Sequence, residues 1–251
     1  MANVNELAKQ LGSSDQVKVY QAKQEMVLLT AEAGAPGKDR QRSDMAAEMA
    51  KCLATEKEQK DNKGKVSKVP ELNAQARSLV CRYLANVGDQ SEAAALERAM
   101  QDFDVREMAR WALSRMTCQA ATDALAKAAK TGIGDEFRVG AINALAGRSG
   151  SNVRETLVAC AGSGSPQVRL AAIEALASDA DPGNDAVLAK VAVGEGVRAG
   201  KRVAKARLRL AENLVAAGQK QAGRQIYQQI ADGKYDRAQQ KAAQAALKRI
   251  G

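Results

Sequence analysis

The 251-residue sequence contains no histidine. This absence removes the commonest general base, the usual activator of a nucleophile and the commonest metal ligand. The chain also lacks a dinucleotide-binding glycine pattern and a phosphate-binding loop, and its carboxylates are scattered without a pair suited to acid–base catalysis. The sequence therefore predicts that the protein is not an enzyme and that it holds no cofactor and no metal ion.

Aromatic residues are scarce as well, with one Trp, two Phe and four Tyr in the chain. Hydrophobic residues still make up 45% of the sequence, and they are mainly Ala, Leu and Val. This composition is ample for a core, and small side chains allow helices to approach closely and favour helix over strand. The first expectation is an all-α protein.

Long hydrophobic runs are missing too. No stretch approaches the roughly 18 apolar residues that a membrane-spanning helix needs, and the N-terminus lacks the basic and apolar segments of a signal peptide. We expect no membrane span and a cytoplasmic protein, with one alternative left open, a secreted form whose leader has been replaced by Met-Ala. Four widely spaced cysteines are interpreted as small buried hydrophobes: Cys52, Cys81, Cys118 and Cys160.

One short phrase occurs four times between residues 70 and 177, and it combines an arginine with a leucine seven positions later. The pairs are Arg77 with Leu84, Arg106 with Leu113, Arg138 with Leu145, and Arg169 with Leu176. With the arginine as position zero, positions −1, +3 and +7 are always small or apolar, which places them on one face of a helix. A helical hairpin of about 30 residues cannot bury such a face alone, so the hairpins must stack.

Capping residues and breakers divide the chain into about fourteen helices in seven antiparallel pairs. Residues 1–55 are predicted to form N-terminal helices with a degenerate repeat. Residues 56–69 are polar and lysine-rich, without apolar periodicity, and are interpreted as a flexible insertion. Pro70 is expected to begin the next helix. The regular repeats occupy 70–194, and basic helices occupy 195–251.

The repeat phrases resemble a known family. The segments Asp104–Leu113 and Ser165–Leu176 look like the second helix of HEAT-like repeats, the short kind also seen in phycobilin lyases. The resemblance covers about residues 70–180 and implies a right-handed α-solenoid, here a single elongated domain of about seven helix pairs. It also implies a structural role for the repeated arginines, which in such repeats cap carbonyls or pair with an Asp. Nearby candidates are Asp102, Asp104 and Asp135.

Position +5 of the same helices is expected to be exposed, and it holds Arg82, Trp111, Asn143 and Glu174. A tryptophan in an otherwise polar row is a candidate anchor for a protein partner, because aromatic and arginine residues dominate interface energetics. The alternative is that Trp111 fills a gap under an adjacent helix.

The C-terminal segment carries the entire positive excess, since residues 195–251 contain 13 basic and 4 acidic residues while the rest of the chain is balanced. Five basic residues are predicted to form a stripe on one side of a long helix: Arg198, Lys201, Arg202, Lys205 and Arg209. Arg207 projects instead into the apolar side, where it is expected to pair with a carboxylate or to line a groove. The helices of this segment resemble a tetratricopeptide unit, with Gly223 where that family usually has Ala.

The leading hypothesis is a non-enzymatic helical-repeat scaffold that binds a protein partner through the +5 row and the basic stripe. One alternative is a nucleic-acid-binding HEAT-like protein that uses the basic helix, although the scarcity of aromatic residues weighs against it. A second alternative, implied by the resemblance, is an enzyme of the bilin-lyase type.

Overall fold

A computed structural model describes residues 3–62, 64–192 and 196–251. Within these residues the chain forms fourteen α-helices and one two-stranded hairpin, which confirms the predicted helical class. The elements in chain order are α1 Val4–Leu11, α2 Gln16–Ala33, α3 Asp39–Ala54, β1 Glu56–Lys60, β2 Val66–Pro70, α4 Ala74–Val87, α5 Ala93–Ala99, α6 Arg106–Arg115, α7 Gln119–Thr131, α8 Asp135–Leu145, α9 Ser151–Ala161, α10 Pro166–Leu176, α11 Asn184–Ala192, α12 Gly196–Ala216, α13 Lys220–Asp232 and α14 Arg237–Ile250.

The helices group into two compact units, Met1–Leu125 and Ala126–Gly251, where the sequence predicted a single domain. In the first unit, α1 packs on α2, α3 on α4 and α5 on α6, and the second helices α4 and α6 also pack on each other. In the second unit the pairs are α9 with α10, α11 with α12 and α13 with α14, and α10 also contacts α8 and α12. Each unit is therefore a stack of helical hairpins.

Local sequence signals set the helix ends. Asn3, Asp15 and Asn73 each accept backbone N–H groups at the start of a helix, which satisfies donors that the first turn leaves unpaired. Ser165 does the same for α10, where Pro166 occupies the first helical position. Asp236 and Gln239 form a reciprocal capping box at the start of α14.

The repeated phrase forms the core, as predicted. All twelve residues at positions −1, +3 and +7 are buried: Ala76, Val80, Leu84, Val105, Ala109, Leu113, Phe137, Ala141, Leu145, Val168, Ala172 and Leu176. Because these positions share one side of each second helix, burial of that side leaves the opposite side of the helix free to form a surface.

The segment predicted to be a flexible insertion starting at residue 56 is an antiparallel hairpin. Its register places Glu58 directly opposite Lys68, and opposite charges at facing positions favour strand pairing. Gly64 adopts a positive φ of 76° in the turn. Pro70 ends β2 instead of beginning a helix, and α4 begins four residues later at Ala74. The hairpin escaped prediction because its side chains are almost all exposed and show no apolar alternation.

Candidate interaction groove

The second unit contains a groove formed by the second helices of successive hairpins. Its cavity volume is about 400 Å³. The lining side chains come from three helices: Glu136, Val139 and Asn143 of α8, Gln167, Leu170, Ala171 and Glu174 of α10, and Arg202 of α12. Three of the residues predicted for a binding site, Asn143, Glu174 and Arg202, thus lie around one cavity.

Helical periodicity explains this arrangement. On α8 the lining residues are spaced by three and four, and on α10 they follow the same spacing, so each set forms one stripe. Relative to the repeat arginine these are positions −2, +1 and +5, together with Ala171 at +2 on α10, on the side of the helix opposite the buried −1, +3 and +7 positions. The sequence prediction used only position +5. Applying the same spacing two turns earlier, at position −2, would have identified Glu136 and Gln167.

The groove combines an apolar base with polar walls. Val139, Leu170 and Ala171 provide the apolar surface. The walls carry two amides, two carboxylates and one guanidinium, and these five side chains have no hydrogen-bond or ion-pair partner within the part of the chain that the structure describes: Asn143, Gln167, Glu136, Glu174 and Arg202. Their hydrogen-bonding groups are therefore available to a molecule that enters the groove.

The repeat arginines behave differently, because they bind the scaffold itself. Arg77 Nη1 lies 2.6 Å from Asp102 Oδ2, which links α4 to the turn before α6. Arg138 Nε donates to Ala129 O at 3.0 Å near the end of α7. Arg169 Nη1 donates to Ser163 O at 2.6 Å in the turn before α10. The Arg106 guanidinium lies 4.5 Å from the centroid of the Phe103 ring. The prediction that these arginines cap carbonyls or pair with an Asp is confirmed for Arg77, Arg138 and Arg169.

Arg82 and Trp111, the other two members of the predicted +5 row, belong to the first unit. Both are exposed, on the neighbouring helices α4 and α6. Trp111 retains 39% of its accessible surface, so it does not fill a gap beneath an adjacent helix. A large aromatic ring exposed among polar residues is a feature of protein-binding surfaces.

The predicted basic stripe lies on α12. Lys201, Arg202, Lys205 and Arg209 are exposed, while the side chain of Arg198 lies outside the described residues. Lys201 Nζ lies 3.5 Å from Asp236 Oδ2 at the start of α14. The stripe therefore supplies a cation to the groove through Arg202 and engages the scaffold through Lys201.

Arg207 is buried, with 3% exposure, and pairs with a carboxylate as expected. Its Nε lies 2.6 Å from Asp185 Oδ1 and its Nη2 lies 2.9 Å from Asp185 Oδ2. Nη1 also donates to the Tyr235 hydroxyl, and Nη2 donates to Gln229 Oε1. Burial opposes the charged form, but the hydrogen bonds and negative charge of Asp185 raise the pKa of Arg207 above its ordinary value. Arg207 therefore links several elements of the fold, and it does not line the groove.

Two further features concern metal ions and membranes. Among the described residues there is no group of three or more His, Cys, Asp or Glu side chains that could hold a metal ion. The helices in the same part of the chain are each too short or too polar to cross a membrane.

Stacked helical hairpins whose second helices bury one periodic face define a helical-repeat protein. No family model matches the chain, and no curated protein matches its sequence. Several solved structures are similar in fold. The complex of CpcE and CpcF of phycocyanin lyase from Nostoc sp. PCC7120 is 16% identical with a TM-score of 0.42, and the match covers 100% of this chain and 96% of that one.

Human deoxyhypusine hydroxylase in complex with glycerol is 14% identical with a TM-score of 0.39, over 98% of this chain and 95% of that one. A structure of Kap95p with RanGDP is 14% identical with a TM-score of 0.48, over 98% of this chain and 34% of that one.

Proposed function

We propose that this protein is a non-enzymatic helical-repeat scaffold and that the groove between α8, α10 and α12 binds a peptide segment of a protein partner. The observation that carries the proposal is the set of five polar side chains without internal partners around an apolar base. Amides pair with a peptide backbone, the charged groups select side chains, and the apolar base takes a small hydrophobic residue.

The charges of the groove favour a peptide over nucleic acid. Glu136 and Glu174 face the same cavity as Arg202, so the lining carries two carboxylates against one guanidinium. A phosphate backbone entering this groove would meet uncompensated negative charge, whereas nucleic-acid sites neutralise phosphates with clustered Lys and Arg. A polypeptide with both charge signs meets a complementary surface.

Selection from a displayed random-peptide library tests the proposal. Peptides that bind the wild-type chain are measured again on a variant with Asn143→Ala, Glu174→Ala and Arg202→Ala, and binding is expected to weaken by at least about tenfold. The matched control carries Glu155→Ala, Lys190→Ala and Gln225→Ala, which are exposed positions of similar chemistry on the first helices of their hairpins. Equal binding to the groove variant would contradict the proposal.

A salt titration of binding to duplex DNA distinguishes a peptide-binding scaffold from a nucleic-acid-binding protein. For a peptide-binding groove we expect no sequence-independent DNA binding at moderate salt concentrations, because the groove lacks a continuous basic surface. Strong binding with a steep salt dependence, lost on Arg202→Ala with Arg209→Ala, would favour a nucleic-acid partner instead.

In the first unit, Trp111→Ala should leave helix content and thermal stability nearly unchanged, because the ring is substantially exposed. If the full partner also contacts this unit, the same change weakens its capture by the intact chain. If the variant unfolds, Trp111 stabilises the fold and is not primarily a partner-binding residue.

A further inference from the structure

Helix α2 has apolar residues on two opposite sides, and only one of them is covered. Its buried side carries Val19, Ala22 and Met26, which pack towards the rest of the first unit. Its other side carries four large apolar side chains that are 52–70% exposed: Val17, Tyr20, Val27 and Leu28. Among the described residues these are half of all the large hydrophobic side chains left exposed.

This distribution is unusual for a surface helix. A helix at the edge of a protein is normally apolar towards the core and polar towards water, and a helix that is apolar all round is normally buried. Large contiguous apolar patches on a soluble protein mark interaction sites. At 1.5 Å per residue, the exposed stripe from Val17 to Leu28 runs for about 16 Å.

A second feature borders the stripe and identifies the kind of partner. A cavity of about 430 Å³ lies between α1, α2 and α3, and residues of α2 near the end of the stripe line it. Leu28 and Glu32 are one turn apart on the same side of α2, and Glu32 lies on the wall of the cavity. The stripe and the cavity are therefore parts of one surface.

The cavity has an apolar interior and an acidic rim. Val4, Leu29, Ala33 and Met45 provide the apolar atoms. The charged side chains that line it are Glu32, Asp44 and Glu48, and its lining contains neither Lys nor Arg. Glu32 is paired with Lys38 at 2.6 Å and Asp44 with Arg40 at 3.8 Å. Glu48 has no ion-pair partner among the described residues, so it is available to an incoming cation.

We propose that α2 and this cavity together bind a cationic amphipathic helix of a partner protein. The apolar side of that helix covers Val17, Tyr20, Val27 and Leu28. One of its Lys or Arg side chains enters the cavity, with the aliphatic stem against Leu29 and Met45 and the charge at Glu48. Long basic side chains suit such a site because the stem is apolar while the head is charged. The exposed apolar residues of α2 lie at i, i+3, i+10 and i+11, counted from Val17, so they share one side of the helix and can meet the apolar face of a partner helix.

The test uses two synthetic helical peptides with one apolar pattern, a Leu–Lys peptide and a Leu–Glu peptide, each labelled for fluorescence anisotropy. The full chain is expected to bind the Leu–Lys peptide, with an affinity that falls as salt rises, and to bind the Leu–Glu peptide at least about tenfold more weakly. Leu28→Lys and Glu48→Lys should each weaken Leu–Lys binding by about tenfold or more. Both positions are exposed, so circular dichroism should show an intact fold.

Matched controls are Ile133→Lys, which places a charge at an exposed apolar position in the second unit, and Glu155→Lys at an exposed position of α9. Both should bind the Leu–Lys peptide as the wild type does. Equal affinity for the two peptides, or unchanged binding by the Leu28 and Glu48 variants, would overturn the proposal. Sedimentation that shows a dimer of the free chain, dissociated by Leu28→Lys, would instead identify a second copy as the occupant and would equally overturn it.

Discussion

The guanidinium of Arg207 and the carboxylate of Asp185 meet through two parallel hydrogen bonds, with N···O distances of 2.6 and 2.9 Å. This contact joins α12 to α11, and the bonds to Tyr235 and Gln229 extend it to α13 and the turn before α14. Because Arg207 is buried, removal of either member leaves a charge without its partner in a poorly hydrated site.

Arg207→Ala is expected to destabilise the protein by about 3–5 kcal/mol, the usual effect of breaking a buried ion pair. Urea unfolding followed by circular dichroism measures the change. Lys205→Ala, an exposed position on the same helix, should change stability by less than about 0.5 kcal/mol. Similar decreases in the free energy of unfolding for the two variants would show that the buried Arg207–Asp185 pair does not stabilise the fold.

Two glycines of the C-terminal helices should respond in opposite directions to the same substitution. A Cβ at Gly223 on α13 would lie 2.6 Å from Val215 Cγ2 and 2.7 Å from Ala211 O, whereas a Cβ at Gly200 on α12 meets no atom within 4 Å. Gly200→Ala should stabilise by up to about 1 kcal/mol through helix propensity. Gly223→Ala should destabilise by about 1–3 kcal/mol because α12 and α13 must separate. Thermal unfolding compares the stability of the two variants. If both substitutions stabilise the protein, α12 and α13 do not approach closely at Gly223.

Stability should fall at acidic pH partly through Asp102. Burial opposes its charged form, but hydrogen bonds from Arg77 and from the Asp104 N–H outweigh burial and hold the pKa of Asp102 below its ordinary value of 3.8. A pKa lower in the folded state stabilises the fold above the unfolded pKa, and this contribution is lost as pH falls through the folded pKa. Between neutral pH and about pH 3, the unfolding free energy of the wild type should decrease more than that of Asp102→Asn. An identical decrease in the unfolding free energy of both proteins would show that protonation of Asp102 does not contribute to the loss of stability.

The four thiols should differ in reactivity. Burial raises the pKa of the Cys81 thiol to about 12, and it also raises the pKa of Cys52 and Cys160. Cys118 is partly exposed. At about pH 8 an alkylating reagent should modify Cys118 first, because reaction requires an accessible thiolate. Mass spectrometry of timed samples identifies the site, and early modification of Cys81 would show that its helix opens readily.

Much of the fold was predictable because local signals and periodicity agree. Asn73 and Ser165 fix helix starts, and Val80 or Leu113 could be assigned to the core from the spacing around an arginine. The hairpin was not predictable in this way, since Glu58 and Lys68 stabilise it only once the strands are paired. Periodicity also could not distinguish the covered side of α2 from its exposed side, because Val19 and Val27 are equally apolar in sequence.

The candidate site was predictable in part for the same reason. Asn143 and Glu174 follow from the repeat register, and Arg202 follows from the charge stripe. Their meeting at one cavity depends on α12 packing beside α10, which no local pattern encodes. The burial of Arg207 was signalled by its position on the apolar side of α12, whereas its partner Asp185 lies on another helix.

Hydrogen–deuterium exchange of the chain with and without a library-selected peptide tests the central claim most directly. Binding in the groove should slow amide exchange in α8, α10 and α12 and leave α9, α11 and α13 nearly unchanged. The Asn143→Ala, Glu174→Ala and Arg202→Ala variant should show no such difference at the same peptide concentration. Protection confined to other helices, or retained in that variant, would contradict the assignment of the groove as the peptide-binding site.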